Sequence, residues 1–204
     1  MPPTRLLILS TMVIAASFGS VCAQRRWERV PPPRDPQFYE PRNKLEEFES
    51  RLGTILIKGR TYVGTLQVRE GSARVEATEI RDTTGNSARA TGVVITFTTV
   101  ESGGPAGEVR SLIDYDEIDP LVRAFDTAAK ADESVTKLTH FEVRYRTAGG
   151  LEIMVFKQIS GGVAAVVEGG FFERKRLALT LDEFTKLRWM IAQAKDRLDQ
   201  IPVP

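Results

Sequence analysis

The sequence predicts an α+β fold in which antiparallel meander sheets carry two helices, and three observations lead there. Residues 111–131, SLIDYDEIDPLVRAFDTAAKA, return in relaxed form at 176–196, RLALTLDEFTKLRWMIAQAKD. A constant offset matches Asp116-Glu117 to Asp182-Glu183, Leu121 to Leu187, Phe125 to Ile191 and Ala128 to Ala194. Around both copies, apolar residues alternate with a period of two, the signature of strands with one wet face. Gly-Gly pairs at 149–150, 161–162 and 169–170 punctuate the second stretch at hairpin spacing. Together these predict a pseudo-repeat of about four strands plus one helix.

The first 23 residues have one basic side chain, Arg5, then an apolar run from Leu6 to Phe18 and small residues through Ala23. This is the layout of a secretory signal peptide, with cleavage expected after Ala23. The run is too short, and too rich in Ser and Thr, for a permanent membrane span. Acylation of Cys22 is disfavoured, because Gly19 and Val21 stand where a lipoprotein signal wants an aliphatic and a small residue. Without the leader, 27 basic residues face 27 acidic ones and no Cys remains. A neutral mature chain gives no electrostatic reason to bind nucleic acid or an anionic membrane. A chain without thiols has no disulfide, no thiolate nucleophile and no thiolate zinc site.

Residues 24–42 hold five of the eleven prolines among arginines and isolated aromatics, and read as an extended tether. Asn43 then caps a short helix with Leu45, Phe48 and Leu52 at helical spacing. From Gly53 to Ile113 the alternation predicts strands opening at Ile55 and Ile57, at Val63–Val68, at Ala73–Ala77, at Val93–Phe97 and at Val109–Ile113. Gly59, Gly71, the segment DTTGN at 82–86 and the loop ESGGPAGE at 101–108 mark the expected turns. In the second half, strands are expected over Phe141–Arg146, Leu151–Phe156, Val163–Val167 and Phe171–Leu179. Residues 43–201 thus read as one α+β domain, with halves 43–131 and 138–201, long enough to bury roughly 70% of its unfolded surface.

Each copy of the repeat starts a helix with acids where the helix dipole favours them. Thr180 and Glu183 have the spacing of a capping box, and Asp114 and Glu117 take the matching places. Pro120 conflicts with that start, since it removes a hydrogen bond beyond the first turn, so a helix beginning with Asp119 as cap and Pro120 at its first position is the expected alternative. Asp-Glu pairs could serve acid and base chemistry, but adjacent residues at a helix start point apart, and capping explains them. In the second helix Phe184, Leu187, Ile191, Ala194 and Leu198 form one apolar stripe. Trp189 lies about 160° from its centre at ~100° per residue, among Asp182, Lys186, Gln193 and Asp196. A tryptophan there is either covered by the arm or a loop, or it anchors a partner.

No motif carries a chemistry. His140, the one histidine, alternates onto the polar side of its strand with Glu142 and Arg144. There is no nucleophile elbow, phosphate loop or dinucleotide fingerprint. The acidic DYDEID lacks the glycine and late bidentate Glu of a calcium loop. The reading therefore names no catalytic residue, no metal ligand and no cofactor.

The repeated strands-and-helix plan resembles the layout of Whirly and Pur-type single-stranded nucleic-acid binders, which would imply base stacking on aromatics such as Phe141, Tyr145, Phe156, Phe171 and Phe172. Neutral charge and export argue against that partner. The segments SLIDYDEIDPLVRAFD, SVTKLTHFEVRYRTAGGLEIMVF and LTLDEFTKLRWMIAQAKDRL resemble a group of uncharacterised exported bacterial proteins, over about Asn43 to Leu198, and the resemblance implies no activity. The expectation is an exported, periplasmic or extracellular, non-enzymatic binding module whose partner is another envelope or extracellular protein, with Trp189, Trp27 and Tyr39 as candidate contacts. The alternatives are a small-molecule carrier with a cleft between sheet and helices and, more remotely, an atypical hydrolase using His140 or the Asp-Glu pairs.

Overall fold

The computed structural model describes residues 40–84, 88–99, 107–132 and 134–202. The leader, nearly all of the Pro-rich arm with Trp27 and Tyr39, the glycine of DTTGN and most of the loop at 101–108 lie outside the described residues. A short helix α1, Lys44–Ser50, leads in, and the Asn43 side chain accepts from the Glu46 backbone as its cap. Four strands follow, β1 Leu56–Val68, β2 Gly71–Asp82, β3 Arg89–Thr99 and β4 Glu108–Asp114, then helix α2, Tyr115–Ala129. The plan repeats with β5 Glu142–Arg146, β6 Glu152–Lys157, β7 Val163–Gly169, β8 Lys175–Leu179 and helix α3, Leu181–Asp199. Each set forms an antiparallel four-stranded sheet in meander order, β1-β2-β3-β4 and β5-β6-β7-β8. The fold is α+β, with three helices where the repeat alone accounts for two.

The strand expected over Phe171–Leu179 starts only at Lys175, and Leu52 lies exposed beyond the end of α1. Three further expectations need correction. Gly59 is not a turn: β1 runs unbroken from Leu56 to Val68, and Gly59 sits opposite Glu79 in continuous register. β2 alternates apolar with polar residues and pairs with β1 over its whole length, and the irregularity falls later, as a bulge between Tyr62 and Gly64. There Gly64 lies under the Met190 side chain of α3, where a Cβ would meet its sulfur at 2.8 Å.

The second correction concerns α2, which starts at Tyr115 and carries Pro120 inside it, so Asp119 is not its cap. Pro120 leaves one carbonyl unmatched, and packing of Ile118, Leu121 and Phe125 outweighs that loss. The third concerns Asp114. It stands at the N-cap position of α2 without a side-chain capping bond, because its carboxylate serves α1. The backbone amides of Lys44 and Leu45 donate to its two oxygens at 2.7 and 3.1 Å. The second copy keeps the full capping box, Thr180 accepting from Glu183 and Glu183 accepting from Thr180.

One apolar cluster spans both halves. It joins Val75, Val93, Ile95 and Phe97 of the first sheet to Ile153, Val155, Val167 and Leu177 of the second, with α2 and α3 packed against them. Phe125 and Phe184 tie the two helices together, ring centroids 4.5 Å apart. Gly169 lets the sheets approach, since any side chain there would enter the Phe97 ring. A smaller cluster of Leu45, Phe48, Ile80, Ala90, Val94 and Leu112 holds α1 against the opposite face of the first sheet. Among the described residues no helix packs on the opposite face of the second sheet, and none is long and apolar enough to cross a membrane. β1, at one edge of the first sheet, is hydrogen-bonded to β2 alone among the described strands, and most of its residues are exposed.

Candidate binding surface

The uncovered face of the second sheet is built by strand alternation. Cross-strand register sets three rows on it: Arg146, Glu152, Glu168 and Arg176; then Arg144, Met154, Val166 and Ala178; then Glu142, Phe156 and Ala164. The first row is wholly charged. Glu152, only 2% exposed, accepts from the Nε and Nη2 of Arg146 and from Nη2 of Arg174, and Arg144 lies 3.2 Å from its other oxygen. Arg174 and Arg176 also approach Glu168, at 3.3 and 3.6 Å. Burial pushes the Glu152 carboxyl up, but Arg174 and Arg146 outweigh it and hold the group below the ordinary glutamate range. Four guanidiniums thus share two carboxylates, and the row is a cross-strand lattice.

The other two rows are apolar at their centre. Small side chains at Ala164, Val166 and Ala178 form a floor, Phe156 one wall, and the β1–β2 turn with Val68, Arg69 and Glu70 another; Thr180 and Glu183 at the start of α3 close one end. The groove encloses about 790 Å³. That lies within the size range of about 300–1,000 Å³ typical of small-molecule sites.

Trp189 lies on the solvent side of α3 and is 54% exposed. Its stripe-forming neighbours Leu187, Met190 and Ile191 are buried, so the helix cannot turn it inward without exposing them. Among the described residues it has no ring or cation partner. Thr185 and Lys186 one turn earlier are exposed and give it a polar rim. Next to it, Arg188 reaches across to Asp126 of α2 with two hydrogen bonds, at 3.1 and 2.9 Å, which fixes the surface on which Trp189 stands.

The remaining sequence candidates are dispersed. His140 is exposed just before β5. Asp116 pairs with Lys44 at 2.7 Å, while Glu117 turns to accept from the Ala148 backbone at 2.8 Å, so the first Asp-Glu pair splits between two partners. Asp182 is exposed and Glu183 is held in its capping box. Phe141 faces the core, Phe156 the groove, and Phe171 and Phe172 sit in the β7–β8 loop, with the Arg42 guanidinium over the Phe171 ring. These aromatics share no stacking platform.

Two features escaped sequence reasoning. Glu152 lies in LEIMVF, a run that reads as apolar on both faces, and the only hint of its partners is the Arg-x-Arg alternation of 144–146. The other is a cluster at the end of α3, where the Tyr115 hydroxyl donates to Asp199 and Lys195 lies 3.1 Å from the same carboxylate. The hydrogen bond from Tyr115 and the nearby ammonium lower the Asp199 carboxyl against its partial burial, and the same bond raises the Tyr115 phenol. The cluster ties the start of α2 to the end of α3. No family model, curated protein or solved structure matches this chain.

Proposed function

We propose that this chain is an exported, non-enzymatic binding module that docks an envelope or extracellular protein. The observation that carries the reading is Trp189, a large aromatic held 54% exposed on a helix fixed from beneath by the core and from the side by Arg188 and Asp126. A rigid, exposed tryptophan with a polar rim has the character of an interface anchor. Export rests on the leader-like residues 1–23 and on the resemblance to exported bacterial proteins. The test is affinity capture with residues 24–204 as bait, from the envelope fraction of cells that produce the protein. Wild type is expected to retain a partner that Trp189→Ala loses, with an unchanged melting temperature because the side chain leaves no cavity. A partner retained equally by the variant removes Trp189 as the anchor.

A second reading, that of a small-molecule carrier, is favoured by the groove of about 790 Å³. The cleft expected between sheet and helices is filled by the apolar cluster, so the carrier's seat moves to the outer face of the second sheet.

A further inference from the structure

We infer that the groove on the outer face of the second sheet takes a small amphiphile with an anionic head, an apolar body lying over Ala164, Val166 and Ala178 and its head meeting Arg69. The inference rests on the carrier reading and adds the chemical class of the ligand.

The apolar part follows from the register. Met154, Val166 and Ala178 are consecutive across three strands, with Phe156 and Ala164 in the next row, so the floor runs continuously across the strands with no polar side chain in it. Val166 is buried at the bottom, whereas Ala178 is exposed, and the small side chains leave the concavity. No described element covers it. Apolar surface of this kind gains free energy when a ligand removes it from water.

The sign of the head follows from which rim groups are already engaged. Two carboxylates and two guanidiniums line the groove, Glu70, Glu183, Arg69 and Arg176. Glu183 is occupied in the capping box by both the amide and the hydroxyl of Thr180, at 2.8 and 2.9 Å. Glu70 reaches over to accept from the Ala178 backbone at 3.4 Å. Arg176 leans on Glu168 at 3.6 Å. Arg69 alone among the four makes no hydrogen bond or ion pair with any described residue. The largest unused capacity at the rim is therefore donor capacity, five guanidinium N–H groups on the turn that lines the groove. A carboxylate, sulfate or phosphate head satisfies it, preferably in bidentate form. An ammonium head has Glu70, one of whose oxygens already accepts from the Ala178 backbone and whose chain neighbour Arg69 repels a cation, and a hydroxyl forfeits the charge assistance.

The experiment uses residues 24–204 and three amphiphiles of equal chain length, decanoate, decanol and decyltrimethylammonium, the ionic two below their micelle concentrations and decanol below its solubility. Calorimetry measures affinity, and methyl NMR shifts of Ala164, Val166 and Ala178 report location. Decyl sulfate and decyl phosphate, added as further arms, sort carboxylate from other anionic heads. Decanoate is expected to bind with shifts at those methyls, about tenfold more tightly than decanol, the step expected for a charge-assisted hydrogen bond. Arg69→Gln should remove that preference while decanol affinity stays, and Ala178→Phe, which fills the floor from an exposed position, should abolish binding of all three. Equal affinities for the three heads, or a preference for the ammonium, overturn the anionic assignment and leave the carrier reading standing. Absence of binding by every amphiphile, or binding that Ala178→Phe leaves intact, overturns both the groove and the carrier reading. Trp189→Ala should bind decanoate like wild type, which separates this site from the proposed protein contact.

Discussion

A carboxylate that is 2% exposed, in a strand otherwise made of Ile, Met, Val, Phe and Lys, costs several kcal/mol of desolvation unless its charge is met. Arg144, Arg146 and Arg174 meet that of Glu152, and because these guanidiniums are a third to a half exposed, water screens part of the attraction. Glu152→Gln keeps the shape and removes the charge, leaving Arg146 without its carboxylate and Arg144 and Arg174 with only Glu142 and Glu168. A loss of about 1–3 kcal/mol in chemical unfolding at neutral pH is expected, between the values for exposed and buried pairs. The pH dependence has a definite sign. A carboxyl held below its ordinary value of 4.5 contributes stability that is complete above 4.5 and is lost as pH falls through the lowered value. Asp116, Asp82 and Asp199 are shifted in the same direction, by hydrogen bonds from Lys44, Thr84 and Tyr115. Denaturant titrations between pH 7 and 2 should therefore show stability falling below about 4.5, with a shallower fall in Glu152→Gln, whose charge is absent throughout.

The two copies of the strand-to-helix unit share their start, Tyr115 and Leu181, at the offset read from the sequence, yet they cap their helices differently. Thr180 and Glu183 close a reciprocal box, and Thr180→Ala should cost about 1 kcal/mol in thermal or denaturant unfolding. Asp114 instead lends its carboxylate to α1, a segment about 70 residues earlier in the chain. Such a partner is invisible to local pattern, which sees an acid three places before Glu117 and expects a cap. The same limit explains Gly59 and Glu152. A glycine after two isoleucines looks like a turn until β2 is known to pair through it, and one glutamate among apolar residues looks like noise until three arginines from β5 and the β7–β8 loop converge on it. What local pattern does carry is the period of each element, the stripe of α3 with Trp189 opposite, and the glycine turns. Gly150, Gly161, Gly162 and Gly170 all have φ between 83° and 92°. The groove was not legible because it depends on the packing of the β1–β2 turn beside β8, a contact between distant segments.

At the scale of the molecule, the two halves share one apolar core. Phe97 of the first sheet lies on Gly169 of the second, and Phe125 of α2 on Phe184 of α3. Phe184→Ala should cost about 3–5 kcal/mol, and tryptophan fluorescence and far-ultraviolet circular dichroism should report one coincident transition in wild type and variant alike. Separated transitions would mean that the halves fold on their own. The long edge strand β1 bears on how these molecules behave in one another's company. A thirteen-residue strand that pairs along one edge only, among the described residues, is a template for another chain. Lys58 on its flat half is paired with Glu49, Arg60 beside it has no ion pair among the described residues and carries positive charge, and the bulge after Tyr62 bends the rest away. A bulge is geometric and holds in any solvent, but repulsion between like charges reaches only about 10 Å at 0.1 M salt and shrinks as salt rises. Whatever protection the Arg60 charge gives this edge against pairing with another copy is thus a property of the medium, strongest in dilute buffer and weakest in brine or beside a polyanion that neutralises it.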